Sequence, residues 1–326
     1  MSEPWRIVIR APGGPEVMER ETFDPGAPGP GDARVKITAS GVNFIDTYHR
    51  SGLYPLALPA GLGTEFAGVI ETVGSDVKGL HPGQRVAARM NRPGSYATHA
   101  VLGVEELFPL PDDISDEIAA AASLKGLTAW MLLEKCRRLQ PGQSVLIHAA
   151  AGGVGSFLVP WAKALGGLVI AHAGNPEKAE RARKAGADHA LSCSFDELAS
   201  KVREVTDGRG ADLILDGVGA ASWVASLGAI AKRGLIVSYG NASGPVPPFA
   251  PLELARAGSV FLTRPTVYDY TRTAEERAEG GSRLFGLIAD GTLSVEIGQR
   301  YPLAEVAEAH RALEGRRTVG STILIP

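Results

Sequence analysis

A run of small residues from Ala150 to Gly155 follows directly on the short apolar stretch Val145–His148 and precedes residues that can form a helix. In a turn between a strand and a helix, Ala150 fits the tight backbone, Gly152 lets the backbone approach a pyrophosphate, and Gly155 lets the helix pack closely. The free N–H groups of the helix N-terminus then face the phosphates. The pattern predicts a dinucleotide-binding turn made of Ala150, Ala151, Gly152, Gly153, Val154 and Gly155.

The end of the second strand of this unit, predicted at Leu168–His172, bears on which dinucleotide fits. Sites that prefer NAD usually carry an Asp or Glu there, which bonds the ribose hydroxyls. Here Ala173–Asn175 follows, with Gly174 predicted to contact the cofactor, and the first acid, Glu177, belongs to the next helix. A 2′-phosphate then meets no repulsion, and Lys178 can supply a positive charge, so the sequence favours NADPH. The alternative, that Lys178 is an ordinary solvated surface charge, stays open.

Composition bounds the remaining function classes. The 326 residues suggest about two domains, and 44% hydrophobic with 21% charged residues is typical of a globular protein. The net charge of −3 argues against nucleic acid and anionic membrane as partners. No apolar run approaches the roughly 20 residues of a bilayer span. Met1–Arg10 shows no signal pattern, and Cys136 and Cys193 form no disulfide framework, so we expect a cytoplasmic protein.

The elements that must position the turn belong to two classes. The first part of the chain reads as short strands between Gly, Pro, Asp and Asn residues: Arg6–Arg10, Ala33–Ala39, Ala67–Val73 and Arg85–Arg89. After a predicted helix N-cap at Ser115, helices alternate with apolar strands: Val145–His148, Leu168–His172, Asp212–Leu215 and Leu235–Tyr239, with a helix from Pro176. This alternation predicts an α/β fold with a parallel, doubly wound sheet.

Beyond Arg264 the pattern loosens. It predicts two helices and two strands in alternation: Ala274–Ala289, Leu293–Arg300, Leu303–Glu314 and Thr322–Ile325. We expect these elements to return to the first, strand-rich domain.

Seven motifs, in order along essentially the whole chain, carry a family resemblance. They are Asn43–Tyr48, Arg50–Tyr54, Gly61–Glu65, Leu124–Thr128, Ala149–Gly155, Tyr239–Asn241 and Thr263–Pro265. Together they closely resemble the zinc-free NADPH:quinone oxidoreductases, the zeta-crystallin-like branch of the medium-chain dehydrogenase/reductases. The resemblance implies a GroES-like domain over 1–124 completed by 267–326, a Rossmann domain over 125–266, a cleft between them, and a homodimer.

The resemblance also implies roles for individual residues. Those on the nicotinamide side of the cleft are Asn43, Asp46, Tyr48 and Tyr54, together with Arg264. Further cofactor contacts are Asn43, Thr128, Gly217, Tyr239, Gly240, Asn241 and, at the 2′-phosphate, Arg316. Cys193 stands where close relatives tend to carry tyrosine near this phosphate, which predicts looser discrimination between NADPH and NADH.

Several of these roles have a second interpretation. Tyr48 is expected to donate a hydrogen bond to a developing quinol oxygen and Arg264 to stabilise its charge, but for Tyr48 and Tyr54 amphipathic packing is equally open. Asp46 is expected to order its loop rather than transfer a proton. Lys125 lies either near the phosphates or in a structural role.

No catalytic metal is expected. Zinc enzymes of the superfamily bind metal through Cys, His and a further thiolate or acid, whereas Asn43 and Thr64 occupy the corresponding positions here. The stretch Arg89–His99 is too short for a structural zinc lobe and contains no cysteine. The seven histidines form no HxH or HxxxH pair, and His148 is expected to be a packed or capping residue.

Three function classes remain at this point. The first is reduction of a quinone by hydride from NADPH without metal. The second is an enone or alkenal reductase on the same scaffold, in which hydride goes to an activated C=C bond. The third is a non-catalytic NADPH-binding protein, for which binding of RNA is disfavoured by the acidic balance and the missing basic stripe.

Overall fold

The computed structural model describes residues 3–326, so Met1 and Ser2, which begin the segment tested for a signal pattern, lie outside the described residues. The chain divides into two compact units. Unit 1 consists of the chain up to Leu127 with Arg272–Ala289 and Val295–Pro326, and unit 2 of Thr128–Thr271 with Asp290–Ser294.

The chain up to Trp130 is mainly strands. Its elements are β1 (Trp5–Ile9), β2 (Glu19–Thr22), β3 (Asp32–Val42), α1 (Phe44–Ser51), β4 (Ala60–Gly61), β5 (Glu65–Val73), β6 (Arg85–Arg89), β7 (His99–Gly103), β8 (Leu107–Pro109) and α2 (Asp116–Trp130). The predicted strands are confirmed within a few residues at their ends by β1, β3, β5 and β6. The predicted N-cap is confirmed as well, because Ser115 Oγ accepts from Ile118 N at 3.2 Å. Helix α1 was not predicted from the apolar pattern because its buried residues are polar: Asp46, Thr47 and Arg50.

Unit 2 contains the alternating elements. They are β9 (Ser144–Ile147), α3 (Gly155–Ala164), β10 (Leu168–His172), α4 (Pro176–Lys184), β11 (His189–Leu191), α5 (Phe195–Glu204), β12 (Ala211–Asp216), α6 (Trp223–Ala229), β13 (Ile230–Ser238), α7 (Leu252–Arg256) and β14 (Phe261–Thr263). The described strands form a parallel sheet of order β11-β10-β9-β12-β13-β14. Four of its strands each send an isoleucine or leucine into one core: Leu146, Ile170, Ile214 and Ile236. The predicted doubly wound sheet is confirmed.

The last elements are α8 (Ala274–Ala289), β15 (Ile297–Pro302), α9 (Val306–Glu314) and β16 (Ser321–Ile325). The predicted strand Leu293–Arg300 is wrong in its bounds, because strand pairing begins only where Ile297 meets Ser321 of β16. Strands β15 and β16 belong to unit 1, where β16 pairs with β3.

Unit 1 holds two sheets within the described part of the chain. One has the order β2-β1-β4, and the other has the order β15-β16-β3-β5-β6-β8, with β7 also paired to β3. Val35, Phe66 and Val86 fill the core beneath β3, β5 and β6. This frame fixes the start of α1 and the start of β5, where several predicted site residues lie.

Candidate active site

The predicted dinucleotide turn links β9 to α3 through a tight backbone path. Ala149 has φ of 50°, a left-handed value that residues with a side chain seldom adopt. Ala150 N donates to His172 O at 3.0 Å and Gly152 N donates to Ala149 O at 2.8 Å, so the turn is anchored to β10 and to itself. Helix α3 begins at Gly155, as the motif predicts.

The two glycines of the turn differ in their surroundings. A Cβ added to Gly152 would meet only Ala149, with its O at 3.1 Å. A Cβ on Gly155 would collide with Ala149 O and lie 2.6 Å from Ala150 O. The nearest obstacles at Gly155 are therefore the carbonyls of the turn itself, rather than the side chains of the strand.

A buried carboxylate organises the loop after β12, which sequence reasoning missed. Asp216 Oδ1 accepts from Val218 N at 2.9 Å and from Gly219 N at 3.2 Å. Its carboxylate also accepts from the hydroxyls of Ser222 and Ser226 at 2.7–2.9 Å. These bonds hold the backbone on both sides of Gly217, and the position of Asp216 at the end of an apolar strand was the available signal.

The loop after β12 packs directly on the loop after β13. A Cβ at Gly217 would lie 2.8 Å from the Tyr239 ring, and a Cβ at Gly240 would collide with Gly217 O. Arg264, just after β14, donates from Nη1 to Ser238 O at 3.0 Å. These predicted residues therefore gather at the carboxyl ends of neighbouring parallel strands, where ligands bind in open α/β sheets.

His148 is a packed histidine. It is fully buried, and its Nε2 lies 2.9 Å from Ser226 Oγ, which in turn donates to Asp216. Burial lowers the pKa of His148 to about 4, against the opposing charge of Asp216, so the ring is neutral. It therefore supports the Asp216 loop.

The segment after β10 leaves open space at Gly174. A Cβ at Gly174 would have no heavy atom within 4 Å. Asn175 Oδ1 accepts from Lys178 N at 2.8 Å and caps α4, which places Lys178 in the first helical turn. Cys193 O lies 2.9 Å from His172 Nε2, and burial raises the pKa of the Cys193 thiol.

In unit 1, the Asn43 side chain ends on a buried ion pair. Asn43 Nδ2 donates to Glu65 Oε1 at 2.7 Å, and Lys125 Nζ donates to the same oxygen at 3.0 Å. Leu124 N donates to Glu65 Oε2 at 2.5 Å. Of the two interpretations of Lys125, the structural one has these contacts behind it.

Asp46 forms a second buried cluster at the start of α1. It accepts from Asn43 N at 2.8 Å, from Tyr96 Oη at 2.9 Å and from Thr64 Oγ1 at 3.1 Å. Burial raises the pKa of Asp46 to about 7, and the nearby charge of Glu65 adds to the effect. The carboxylate thus ties the end of β3, the start of β5 and α1 together, the geometry of a group that orders its loop.

A chain of hydrogen bonds leads from Asp46 to the edge of α9. Arg50 Nη1 lies 3.0 Å from His310 Nδ1 and Arg50 Nη2 binds Glu314 at 2.7 Å. Because a guanidinium only donates, His310 carries its proton on Nε2, which lies 3.1 Å from Tyr96 Oη. Burial, aided by Arg50, lowers the pKa of His310 to about 3, so the ring stays neutral.

The predicted tyrosines sit together near the end of α1. The rings of Tyr48 and Tyr54 meet edge to face with centroids 5.3 Å apart, and Tyr54 N donates to Tyr48 O at 3.1 Å. Both side chains are half-buried. Arg316, also in unit 1, follows α9 with φ of 56°.

The positions that bind zinc in related enzymes are engaged in other bonds. Asn43 Nδ2 and Thr64 Oγ1 both donate to carboxylates. Across residues 3–326, no group of three or more His, Cys, Asp and Glu side chains is arranged to hold a metal ion. None of the described helices is long and apolar enough to cross a membrane.

Comparison with known proteins identifies the family. Residues 29–112 match the alcohol dehydrogenase GroES-like domain, and residues 153–285 match the model described as zinc-binding dehydrogenase. The chain is 48% identical to a quinone oxidoreductase of Pseudomonas aeruginosa, over 98% of this chain and 99% of that protein. It is 40% identical to a 2-haloacrylate reductase of a Burkholderia species, over 98% of both chains.

A solved structure of a quinone oxidoreductase has the same fold as this chain. The Escherichia coli quinone oxidoreductase, solved in complex with NADPH, superposes with a TM-score of 0.95 at 42% identity, over 99% of this chain and 100% of that one. The predicted fold class and the resemblance drawn from the motifs are both confirmed. This chain belongs to the quinone oxidoreductase family of the medium-chain dehydrogenase/reductases.

Proposed function

We propose that the protein reduces small quinones by hydride transfer from NADPH, without a metal ion. The observation that carries the proposal is the 48% identity to a quinone oxidoreductase over 98% of the chain. We also propose that residues 1–124 with 267–326 form the GroES-like catalytic domain and that residues 125–266 form the Rossmann domain that binds NADPH. A quinone is electron-poor, so orientation beside the nicotinamide supplies much of the rate without a Lewis acid.

The residues of unit 2 fit NADPH. An added Cβ would meet only Ala149 at Gly152 and nothing within 4 Å at Gly174, and Lys178 lies in the first turn of α4, four residues after Gly174. The proposed contacts are Asn43, Thr128, Ala150, Ala151, Gly152, Gly153, Val154, Gly155, Gly174, Lys178, Gly217, Tyr239, Gly240, Asn241 and Arg316. Bound NADPH supplies the hydride.

Besides a hydride donor, quinone reduction needs a proton or a positive charge at the developing oxyanion. We assign hydrogen-bond donation to Tyr48, with Tyr54 as its packing partner, and charge stabilisation to Arg264. Asp46 has a positioning role, because its oxygens accept three bonds and its outward chain ends at Arg50, whose guanidinium does not release a proton.

Kinetics of single variants test these roles. Tyr48→Phe and Arg264→Ala should each lower kcat with a naphthoquinone by roughly ten- to a thousandfold, because each removes an interaction with the developing charge. Tyr301→Phe, at a partly buried tyrosine of β15, is the matched control. A change confined to apparent KM would show that both residues contact the substrate without stabilising the transition state.

Reduction of an activated C=C bond is the second candidate, favoured by the 40% identity to a 2-haloacrylate reductase. The same hydride donor serves both reactions, and the electron-poor acceptor differs. Parallel assays of NADPH oxidation with benzoquinone, 2-chloroacrylate and an enone separate the two. Binding of NADPH with no turnover of any acceptor would favour the non-catalytic alternative.

We also propose that the protein works as a cytoplasmic homodimer with no nucleic-acid partner. Strand β14 lies at one end of the described order of the unit 2 sheet, and Phe261 on it is 61% exposed. An unpaired strand edge with an exposed aromatic residue suits pairing with a second copy. Light scattering should give twice the chain mass, and Phe261→Glu should shift it toward the monomer.

A further inference from the structure

The ion pair of Glu65 and Lys125 has an uncommon setting. The side chains are 0% and 5% exposed, and their N–O distance is 3.0 Å. A buried ion pair contributes little to stability compared with well-packed apolar residues, because both charges lose their hydration. Since stability does not explain the pair, the groups that it contacts indicate its role.

Glu65 uses both oxygens, and the pattern fixes the orientation of a neighbouring amide. Oε1 accepts from Lys125 Nζ and from Asn43 Nδ2, while Oε2 accepts from Leu124 N. An ionised carboxylate has no proton to donate, so the Asn43 amide must turn its NH₂ group toward Glu65. Its carbonyl oxygen, Oδ1, is consequently directed away from the ion pair.

The backbone leaves room for this arrangement. Gly41 on β3 lies against Glu65, and a Cβ there would collide with Glu65 Oε1 and with Ala120 O. Asn43 N is held separately by Asp46 Oδ2 at 2.8 Å. The main chain of Asn43 is thus held by Asp46 and its amide group by Glu65, while the Asn43 side chain also meets the Asp46 backbone N–H in the capping box of α1.

We propose that Lys125 is a positioning residue that acts through Glu65 on Asn43. The ammonium group holds the Glu65 carboxylate in place, and the carboxylate holds the Asn43 amide so that Oδ1 serves as an acceptor. The partner is a hydrogen-bond donor of the bound ligands, either a hydroxyl or carboxamide N–H of NADPH or the hydroxyl of the quinol product. This inference rests on the proposed function, which places Asn43 against the cofactor.

A double-mutant cycle tests the route of the effect. Lys125→Met removes the charge and keeps the apolar stem, Asn43→Ala removes the amide, and Lys125→Arg retains a cation. Lys78→Met, an exposed lysine of the same unit, is the matched control. NADPH affinity is measured by fluorescence titration, and kcat and KM are measured with a naphthoquinone. Thermal melting of each variant establishes that it is folded.

Lys125→Met should weaken NADPH binding or lower kcat by up to about a hundredfold, since a misplaced contact group is costly even when the fold survives. In the Asn43→Ala background the same change should have almost no further effect, and Lys125→Arg should recover part of the loss. An affinity change assigns the donor to NADPH, and a change in kcat alone assigns it to the quinol.

Equal effects of Lys125→Met in both backgrounds would overturn the proposal, as would an unchanged affinity and kcat in a folded Lys125→Met protein. If Lys125→Met does not fold, a crystal structure of the double variant Glu65→Leu, Lys125→Leu decides instead, because it removes the acceptor of the Asn43 amide without leaving an unpaired charge. The proposal requires the Asn43 amide to change its orientation there, and an unmoved amide refutes it. Absence of quinone turnover in the unmodified protein would contradict the proposed function alone, because the affinity arm of the cycle does not depend on turnover.

Discussion

Alanine at Gly155 should lower the stability of the protein, whereas alanine at Gly152 should weaken NADPH binding and leave stability nearly unchanged. At Gly155 the new Cβ collides with Ala149 O and lies 2.6 Å from Ala150 O, both backbone atoms of a turn anchored to β10. Overpacking of this kind costs about 1–3 kcal/mol, from which the better helix propensity of alanine recovers less than about 1 kcal/mol. We therefore expect the melting temperature of Gly155→Ala to fall by roughly 2–8 °C.

At Gly152 the nearest atom to the new Cβ is Ala149 O at 3.1 Å, and φ lies outside the left-handed region, so melting should change by less than about 2 °C. The methyl group instead occupies space that the pyrophosphate needs, and NADPH affinity should fall by at least about tenfold. Differential scanning fluorimetry and calorimetric titration of both variants measure the two effects. Normal NADPH binding by Gly152→Ala, or unchanged melting of Gly155→Ala, would refute the geometry assigned to the turn.

Three further predictions concern charge and metal. Lys178→Ala should weaken NADPH binding about ten- to a hundredfold and leave NADH nearly unchanged, whereas Lys184→Ala at the other end of α4 should alter neither; equal losses for both cofactors would contradict the 2′-phosphate assignment. Folded His310 has a pKa of about 3, below its unfolded value, so its contribution to the free energy of unfolding is complete above about pH 6.5 and is lost as pH falls toward 3. Denaturant unfolding between pH 7 and pH 4 should therefore be less pH-dependent in His310→Gln, and parallel curves would oppose this. Elemental analysis should find no stoichiometric zinc, and one zinc per chain lost together with activity would reverse that expectation.

Hydrophobic pattern and turn chemistry predicted the fold well because both are local. Apolar runs such as Val145–His148 are strands buried on both faces, and the small residues after them mark the turn. The strand predicted from Leu293 failed since apolar residues there precede the pairing with β16. Helix α1 carries no apolar stripe, because Asp46, Thr47 and Arg50 form its buried face.

The missed site features depend on contacts between distant parts of the chain. Asp216 is one acid among many in the sequence, and its four donors appear only when β12 ends beside α6. Likewise, Lys125 and Glu65 are far apart in sequence and meet only where α2 lies against β5. The resemblance named Asn43 and Asp46, but the two carboxylates that hold Asn43 follow from the folded geometry alone.

Steady-state oxidation of NADPH by the purified, unmodified protein is the decisive measurement for quinone reduction. With benzoquinone or a naphthoquinone as acceptor, we expect rapid turnover with NADPH, a higher kcat/KM than with NADH, and no oxidation of ethanol by NADP⁺. Ethanol oxidation needs a strong Lewis acid or base to remove the hydroxyl proton, and Asn43 and Thr64 supply neither. Robust ethanol oxidation, or turnover of enones and never of quinones, would refute metal-free quinone reduction as the activity of this protein.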